Sequence, residues 1–168
     1  MALTLILMRH AKSSWDDPEE DDFNRPLNGR GRKSAPAIGE WLARRGYLPD
    51  VVLVSGARRT VETWERMARV LPETAAMQSA PALYLAEPKV ILGVLRAQTA
   101  PTIMMIGHNP GFGLLALALA KTSPKHSKFA QYPTGATTVF EFEAKTWQEV
   151  EPRNGDVVDF AVPRELLG

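Results

Sequence analysis

The apolar positions of this chain fall into short unalternated runs separated by helix-period segments. Leu3-Thr4-Leu5-Ile6-Leu7-Met8 is too short for a helix and lacks polar alternation, so it predicts a strand buried on both faces. Val51-Val52-Leu53-Val54 and Thr102-Ile103-Met104-Met105-Ile106 repeat the pattern. Between these runs, Ile38, Trp41 and Leu42 mark one face of a helix over Ala35–Arg45, and Val61, Trp64, Ala68 and Leu71 mark one over Ala57–Leu71. A third helix is predicted over Pro88–Gln98, with Ile91, Leu92 and Leu95 inward. Pro36 fits the first turn of the first helix with Ser34 as its cap, and a longer kinked helix starting near Asn28 is equally allowed. Ala136–Phe142 and Asp156–Val162, rich in Val, Phe and Thr around the turn signal Asn154-Gly155, read as two further strands. Strands alternating with helices predict an α/β fold of three layers (α/β/α), with a mostly parallel central sheet and helices on both faces.

Composition narrows what such a fold could serve. At 168 residues, the expectation is one domain over 1–168. Hydrophobic residues make up 45%, enough to bury a core at this length. The net charge of +1 gives no overall reason to bind nucleic acid or an anionic membrane, so any basic site must be local. There are no cysteines, which removes disulfides, thiolate metal sites and cysteine nucleophiles together and fits a reducing compartment. Leu3–Met8 lacks the flank and length of a signal peptide, and Pro110–Ala120 falls far short of a spanning helix. A cytoplasmic protein is therefore expected.

In open α/β sheets, ligands bind outside the carboxyl ends of the strands, so the residues following each buried run are the ones to inspect. After the first come Arg9-His10, after the second Ser55-Gly56-Ala57-Arg58-Arg59, and after the third Gly107-His108-Asn109-Pro110-Gly111. Three strands thus deliver histidine or arginine to one edge. The natural guest of such a local cationic pocket is a phosphoryl group, which takes guanidinium forks and imidazolium donors together. The segments after Ser55 and His108 also open helices, whose unpaired N–H groups favour anions.

These motifs resemble the histidine phosphatase superfamily related to phosphoglycerate mutase, and within it the SixA-type phosphohistidine phosphatases. The resemblance is carried by Leu7-Met8-Arg9-His10-Ala11-Lys12-Ser13, by Ser55-Gly56-Ala57-Arg58-Arg59-Thr60-Val61-Glu62-Thr63, and by Ile106-Gly107-His108-Asn109-Pro110-Gly111. Further matches at Arg25-Pro26-Leu27, Leu83-Tyr84 and Tyr132-Pro133-Thr134-Gly135 extend it over nearly the whole chain. The second motif singles out Arg59 over Arg58, and neighbouring helical residues, about 100° apart, cannot both face one phosphate.

The resemblance implies that His10 attacks phosphorus in line, forming a phosphohistidine that water hydrolyses. Its other ring nitrogen must then hold the proton. Arg9, Arg59 and His108 are implied to clamp the phosphoryl oxygens, with Arg25 a further binding residue. Neither metal nor cofactor is required, and inorganic phosphate or sulfate is expected to occupy the pocket. The sequence departs from better-known branches where a proton donor is concerned. The aspartate that follows the second histidine in the acid phosphatase branch is here Asn109, and the only carboxylate between Thr74 and Phe140 is Glu87. Glu87 could cap the helix opening at Pro88 or reach the site as the acid. A weak acid penalises esters more than phosphoramidates, whose imidazole leaves easily. The expected substrate is accordingly phosphohistidine in a partner protein, with a small phosphomonoester as the alternative enzyme reading and a phosphate-binding module with little turnover as the non-enzymatic one.

Two charged stretches remain. Asp16–Asp22 puts six acids in seven positions and reads as a solvated loop that repels long polyanions rather than as a metal cluster. Lys121–Lys128 reads as a basic surface loop, with recognition of a partner protein as the sharper alternative, and His126 within it as structural or exposed. The four tryptophans are assigned to core or rim packing.

Overall fold

The computed structural model describes residues 2–72 and 75–167. Its centre is a six-stranded sheet in the order β3-β2-β4-β1-β5-β6, made of β1 (Ala2–Arg9), β2 (Val51–Val54), β3 (Met77–Ser79), β4 (Thr102–Gly107), β5 (Thr137–Glu143) and β6 (Asp156–Ala161). The first four neighbours are parallel; β5 pairs antiparallel with β1 and with β6. The helices are α1 (Gly29–Arg45), α2 (Arg58–Ala68), α3 (Pro88–Arg96), α4 (Gly111–Leu119) and α5 (Pro163–Leu167).

Both faces of the sheet are covered, which is why the central runs are apolar without alternation. Leu5, Leu7, Leu53, Ile103 and Met105 pack on one side against Ile91 and Leu95 of α3 and Phe112 and Leu115 of α4. Ile6, Met8, Val52, Val54, Met104 and Ile106 pack on the other against Ile38, Trp41 and Leu42 of α1 and Trp64 and Met67 of α2. The predicted α/β/α layering with a mostly parallel sheet is the observed one. Among the described residues no helix is long and apolar enough to cross a membrane.

Helix α1 settles the choice left open at its start. It begins at Gly29, Asn28 is the cap and accepts from the Gly31 amide at 2.9 Å, and Pro36 lies inside the helix. Ser34 is therefore not a cap; its hydroxyl donates to the Arg30 carbonyl one turn back. Gly31 lies so close to the Lys12 carbonyl oxygen that a Cβ would collide with it, which seats α1 directly against the segment following β1. The three-residue edge strand β3 and short α5 escaped prediction because neither is long enough to show a period. Asn154-Gly155 does precede β6, but the connection from β5 spans 144–155 with a 3₁₀ turn at Trp147–Glu149 and is no tight hairpin.

Candidate active site

The chain passes from β1 to β2 across the position that β4 later fills, so the carboxyl ends of β2, β4 and β1 lie side by side. Arg9 pairs with Gly107 and Val54 with Ile106. The residues that follow, His10, Ser55 and His108, therefore meet at one edge, as the strand order requires. Arg59 arrives on the first turn of α2, with one residue between it and the N-cap Ala57. The His10 and His108 rings are 5.3 Å apart, and both residues are buried, as is Arg59 at 2% exposure. Arg58 points outward and pairs with Glu62 at 3.1 Å, so the structure separates the two arginines as their helical phase predicts.

His10 is held as a base. Its Nδ1 lies 2.7 Å from the Ala11 carbonyl oxygen. A carbonyl only accepts, so Nδ1 carries the proton and Nε2 keeps its lone pair. Ala11 is itself anchored, its amide donating to Thr63 Oγ1 at 3.0 Å while the Thr63 hydroxyl donates to the Arg59 carbonyl. The threonine four residues after Arg59 thus ties the segment that carries His10 to α2. Burial, and after it the charges of His108, Arg9 and Arg59, hold the His10 pKa well below the ordinary histidine value, against the hydrogen bond to Ala11.

His108 has both ring nitrogens engaged. Nδ1 accepts from Arg59 Nη2 at 3.2 Å, which leaves Nε2–H to donate to Ser55 Oγ at 2.7 Å. Since Thr60 Oγ1 donates to the Ala57 carbonyl, Ser55 donates to Thr60 at 3.0 Å, and the chain of donors is complete. Burial and the Arg59 charge lower the His108 pKa to about 3, so the ring is neutral and not the imidazolium donor expected of a cationic pocket.

The acidic stretch is more than a solvated loop, and this corrects the sequence reading. Asp22 draws the site together: its carbonyl and carboxylate accept from Arg59 at 2.6 and 3.0 Å, Arg25 donates to its other oxygen at 3.1 and 3.2 Å, and the Tyr84 hydroxyl donates to it as well. Burial opposes ionisation, but the hydrogen bonds from Tyr84 and Arg59 and the Arg59 charge prevail and bring the Asp22 pKa to about 2. Arg25 is buried, donates also to Ser13 Oγ at 2.8 Å, and lies under the exposed Trp15 ring at 3.5 Å. Hydrophobic patterning does not register Asp22, one acid among six; Arg25-Pro26-Leu27 and Leu83-Tyr84 were the signals that flank its partners.

A cavity of about 100 Å³ opens here, lined by Arg9, His10, Ser13, Arg25, Lys12, Trp15 and Thr134. Arg59 and His108 are not in its wall, because their outer atoms are taken by Asp22, Ser55 and each other. Two buried donors remain without a partner among the described residues, Nε of Arg9 and Nε of Arg59. A buried guanidinium N–H left unpaired is costly, and a bound anion would satisfy it. Glu87 is exposed at the N-cap of α3, makes no side-chain capping bond, and touches none of the site residues by hydrogen bond. Its contribution to α3 is limited to its charge at the helix's positive end. No three His, Asp or Glu side chains among the described residues come together as a metal would need.

Residues 5–83 match the sequence profile of the histidine phosphatase superfamily (branch 1). An uncharacterized protein of Mycobacterium tuberculosis is 34% identical over 166 residues, covering 94% of this chain and all of the relative. Among solved structures, a candidate phosphohistidine phosphatase SixA from Nakamurella multipartitia superposes with a TM-score of 0.81 at 26% identity, covering 97% of both chains. The protein histidine phosphatase SixA complexed with tungstate superposes with a TM-score of 0.80 at 21% identity, covering 98% of this chain and 99% of that one.

Proposed function

This chain belongs to the histidine phosphatase superfamily (branch 1), with the fold of SixA proteins, and we propose that it is a phosphohistidine phosphatase, a single domain working through a phosphoenzyme on His10. The observation that carries the proposal is the pairing of a buried imidazole, protonated on Nδ1 and free on Nε2, with two buried guanidinium N–H groups that have no partner. Such a set supplies the donors a tetrahedral oxyanion calls for and the lone pair a nucleophile needs. The fold neighbour that carries tungstate, an oxyanion of phosphate's shape, supports the same reading.

In this mechanism His10 Nε2 forms a bond to phosphorus as the substrate's P–N bond breaks on the opposite side. Phosphohistidine leaves as neutral imidazole when its distal nitrogen already holds a proton, so the departing group asks no proton of the enzyme. That suits a site in which Asn109 stands after the second histidine and Glu87 is exposed. Water then cleaves the His10 phosphoramidate and returns Nε2 to its free form. Arg9 and Arg25 meet the phosphoryl oxygens from the cavity wall, and Arg59 joins them as the incoming dianion displaces the Asp22 carboxylate. The dianion also raises the His108 pKa, giving that ring a second proton to donate. No metal enters any step.

The test is turnover of a phosphohistidine peptide and of p-nitrophenyl phosphate, with and without EDTA, by the wild type and by His10→Ala. We expect EDTA-insensitive hydrolysis and a phosphoenzyme trapped on the wild type alone. A phosphoenzyme formed by His10→Ala, or activity abolished by EDTA and restored by a divalent ion, overturns the mechanism. Turnover of small esters with none of phosphohistidine moves the chain to the small phosphomonoester reading.

A further inference from the structure

The active-site cavity shares Lys12 and Thr134 with a larger trough beside it. The trough consists of two adjoining cavities of about 460 and 820 Å³, both walled by Lys12, Arg30, Thr134 and Arg164, with Lys33 and Lys128 completing the positive lining. Five cations thus face one depression in a protein whose net charge is +1. Its one acid, Glu165, is paired with His126 at 2.9 Å. None of the five is in an ion pair among the described residues, although Arg25, Arg45, Arg58, Arg59, Arg96 and Lys121 all are. The N-terminal turns of α1, which supply Arg30 and Lys33, add the positive end of a 17-residue helix.

We infer that this trough binds an acidic segment of the substrate protein, next to the residue whose phosphoryl group enters the cavity at His10. The inference rests on the phosphohistidine reading and names what must flank the phosphorylated side chain. The form of the site favours carboxylates spread along a chain over a second phosphoryl group. Arg9, Arg25 and Arg59 show how this protein builds a phosphoryl site: guanidinium groups that converge and are held by neighbours. The trough cations instead come from four separate places, the segment after β1 with Lys12, α1, the segment around Lys128 and α5, and all but the partly covered Lys128 are exposed. Exposed, unpaired cations along a groove attract and steer dispersed negative charge without requiring its full desolvation. The acidic stretch Asp16–Asp22, on the segment that carries Arg25 and Trp15, supplies the opposite sign near the same cavity. A partner with an acidic flank is therefore drawn to one side and repelled from the other, which sets its direction across the site.

The experiment compares phosphohistidine peptides with acidic, uncharged and basic flanks, using the wild type and the double variant Lys33→Glu/Arg164→Glu. In the wild type, kcat/KM for the acidic peptide should exceed that for the uncharged one by about 10-fold at low salt, and the advantage should shrink at high salt. The double variant should lose or reverse the preference while its turnover of p-nitrophenyl phosphate and its melting temperature stay near wild type. Equal kcat/KM across the three flanks, or a preference the double variant retains, overturns the inference. So does a variant that loses turnover of a bisphosphorylated sugar while acidic and uncharged peptides remain equivalent, because the trough would then be a second phosphate subsite. If no phosphohistidine peptide is hydrolysed, the unphosphorylated acidic peptide is titrated by fluorescence anisotropy. Binding weakened by the double variant then upholds the trough although the substrate reading has failed, and absence of binding removes both.

Discussion

Replacing Arg59 by alanine should separate charge stabilisation at the transition state from mere attraction of the substrate. Arg59 is 2% exposed, donates at 2.6 and 3.0 Å to Asp22 and at 3.2 Å to His108, and keeps one buried N–H without a partner. On the proposed mechanism that fork, released from Asp22 when the substrate dianion binds, tightens on the phosphoryl oxygens as charge develops on them. Loss of one preorganised donor of this kind lowers kcat by about 10²–10³, or roughly 2.7–4 kcal/mol. Arg58, one position earlier, is the internal control: its side chain is 55% exposed and holds only the surface pair with Glu62, worth about 0.3–0.5 kcal/mol of stability and nothing to the site. Steady-state hydrolysis of p-nitrophenyl phosphate, with rapid-quench measurement of phosphoenzyme formation, reads both variants. Arg59→Ala should slow phosphoenzyme formation by the full factor, and Arg58→Ala should stay within about twofold, the ordinary effect of a surface substitution. Comparable defects in the two variants refute the assignment of roles. A rise in KM with kcat unchanged refutes the electrostatic argument itself, since it shows that Arg59 holds ground and transition states equally.

Two further predictions concern protons. His108 titrates at about 3 and His10 well below its ordinary value when folded, whereas both take up protons near pH 6.5 when unfolded; stability is therefore full above pH 6.5 and falls with acidification toward pH 3, with Asp22 extending the loss between 3.8 and about 2. The melting temperature followed from pH 7 to 4 should decline, and less steeply for His108→Gln; a flat profile, or one rising toward acid, contradicts the burial argument. Because Glu87 is exposed and unbonded, Glu87→Gln should leave phosphohistidine and ester hydrolysis within about twofold of wild type, and a selective loss on esters with poor leaving groups would identify it as their proton donor.

The architecture and the placement of the chemistry were legible in the chain because both arise from local patterns. Unalternated runs such as Leu3–Met8 and Thr102–Ile106 announce strands covered on two faces, and a strand's end is readable as the point where such a run meets Arg9-His10 or Gly107-His108. Helical phase likewise requires Arg58 and Arg59 to face apart, and the motif resemblance selects Arg59. The start of α1 at Asn28 was open, since Pro36 fits a first turn as well as an interior, and packing of Gly31 on the Lys12 carbonyl selects the longer helix. Only the tertiary structure could show that Asp22, one of six acids in seven positions, engages Arg59, Arg25 and Tyr84, which are separated from it by as many as 62 positions. The same holds for the His108–Ser55–Thr60 chain and for the trough that gathers Lys12, Lys33, Lys128 and Arg164. Periodicity records which way each side chain faces within its own element, whereas a hydrogen bond or a shared cavity depends on distances between elements. Those distances are set by how the two faces of the sheet pack, through contacts that no single segment contains.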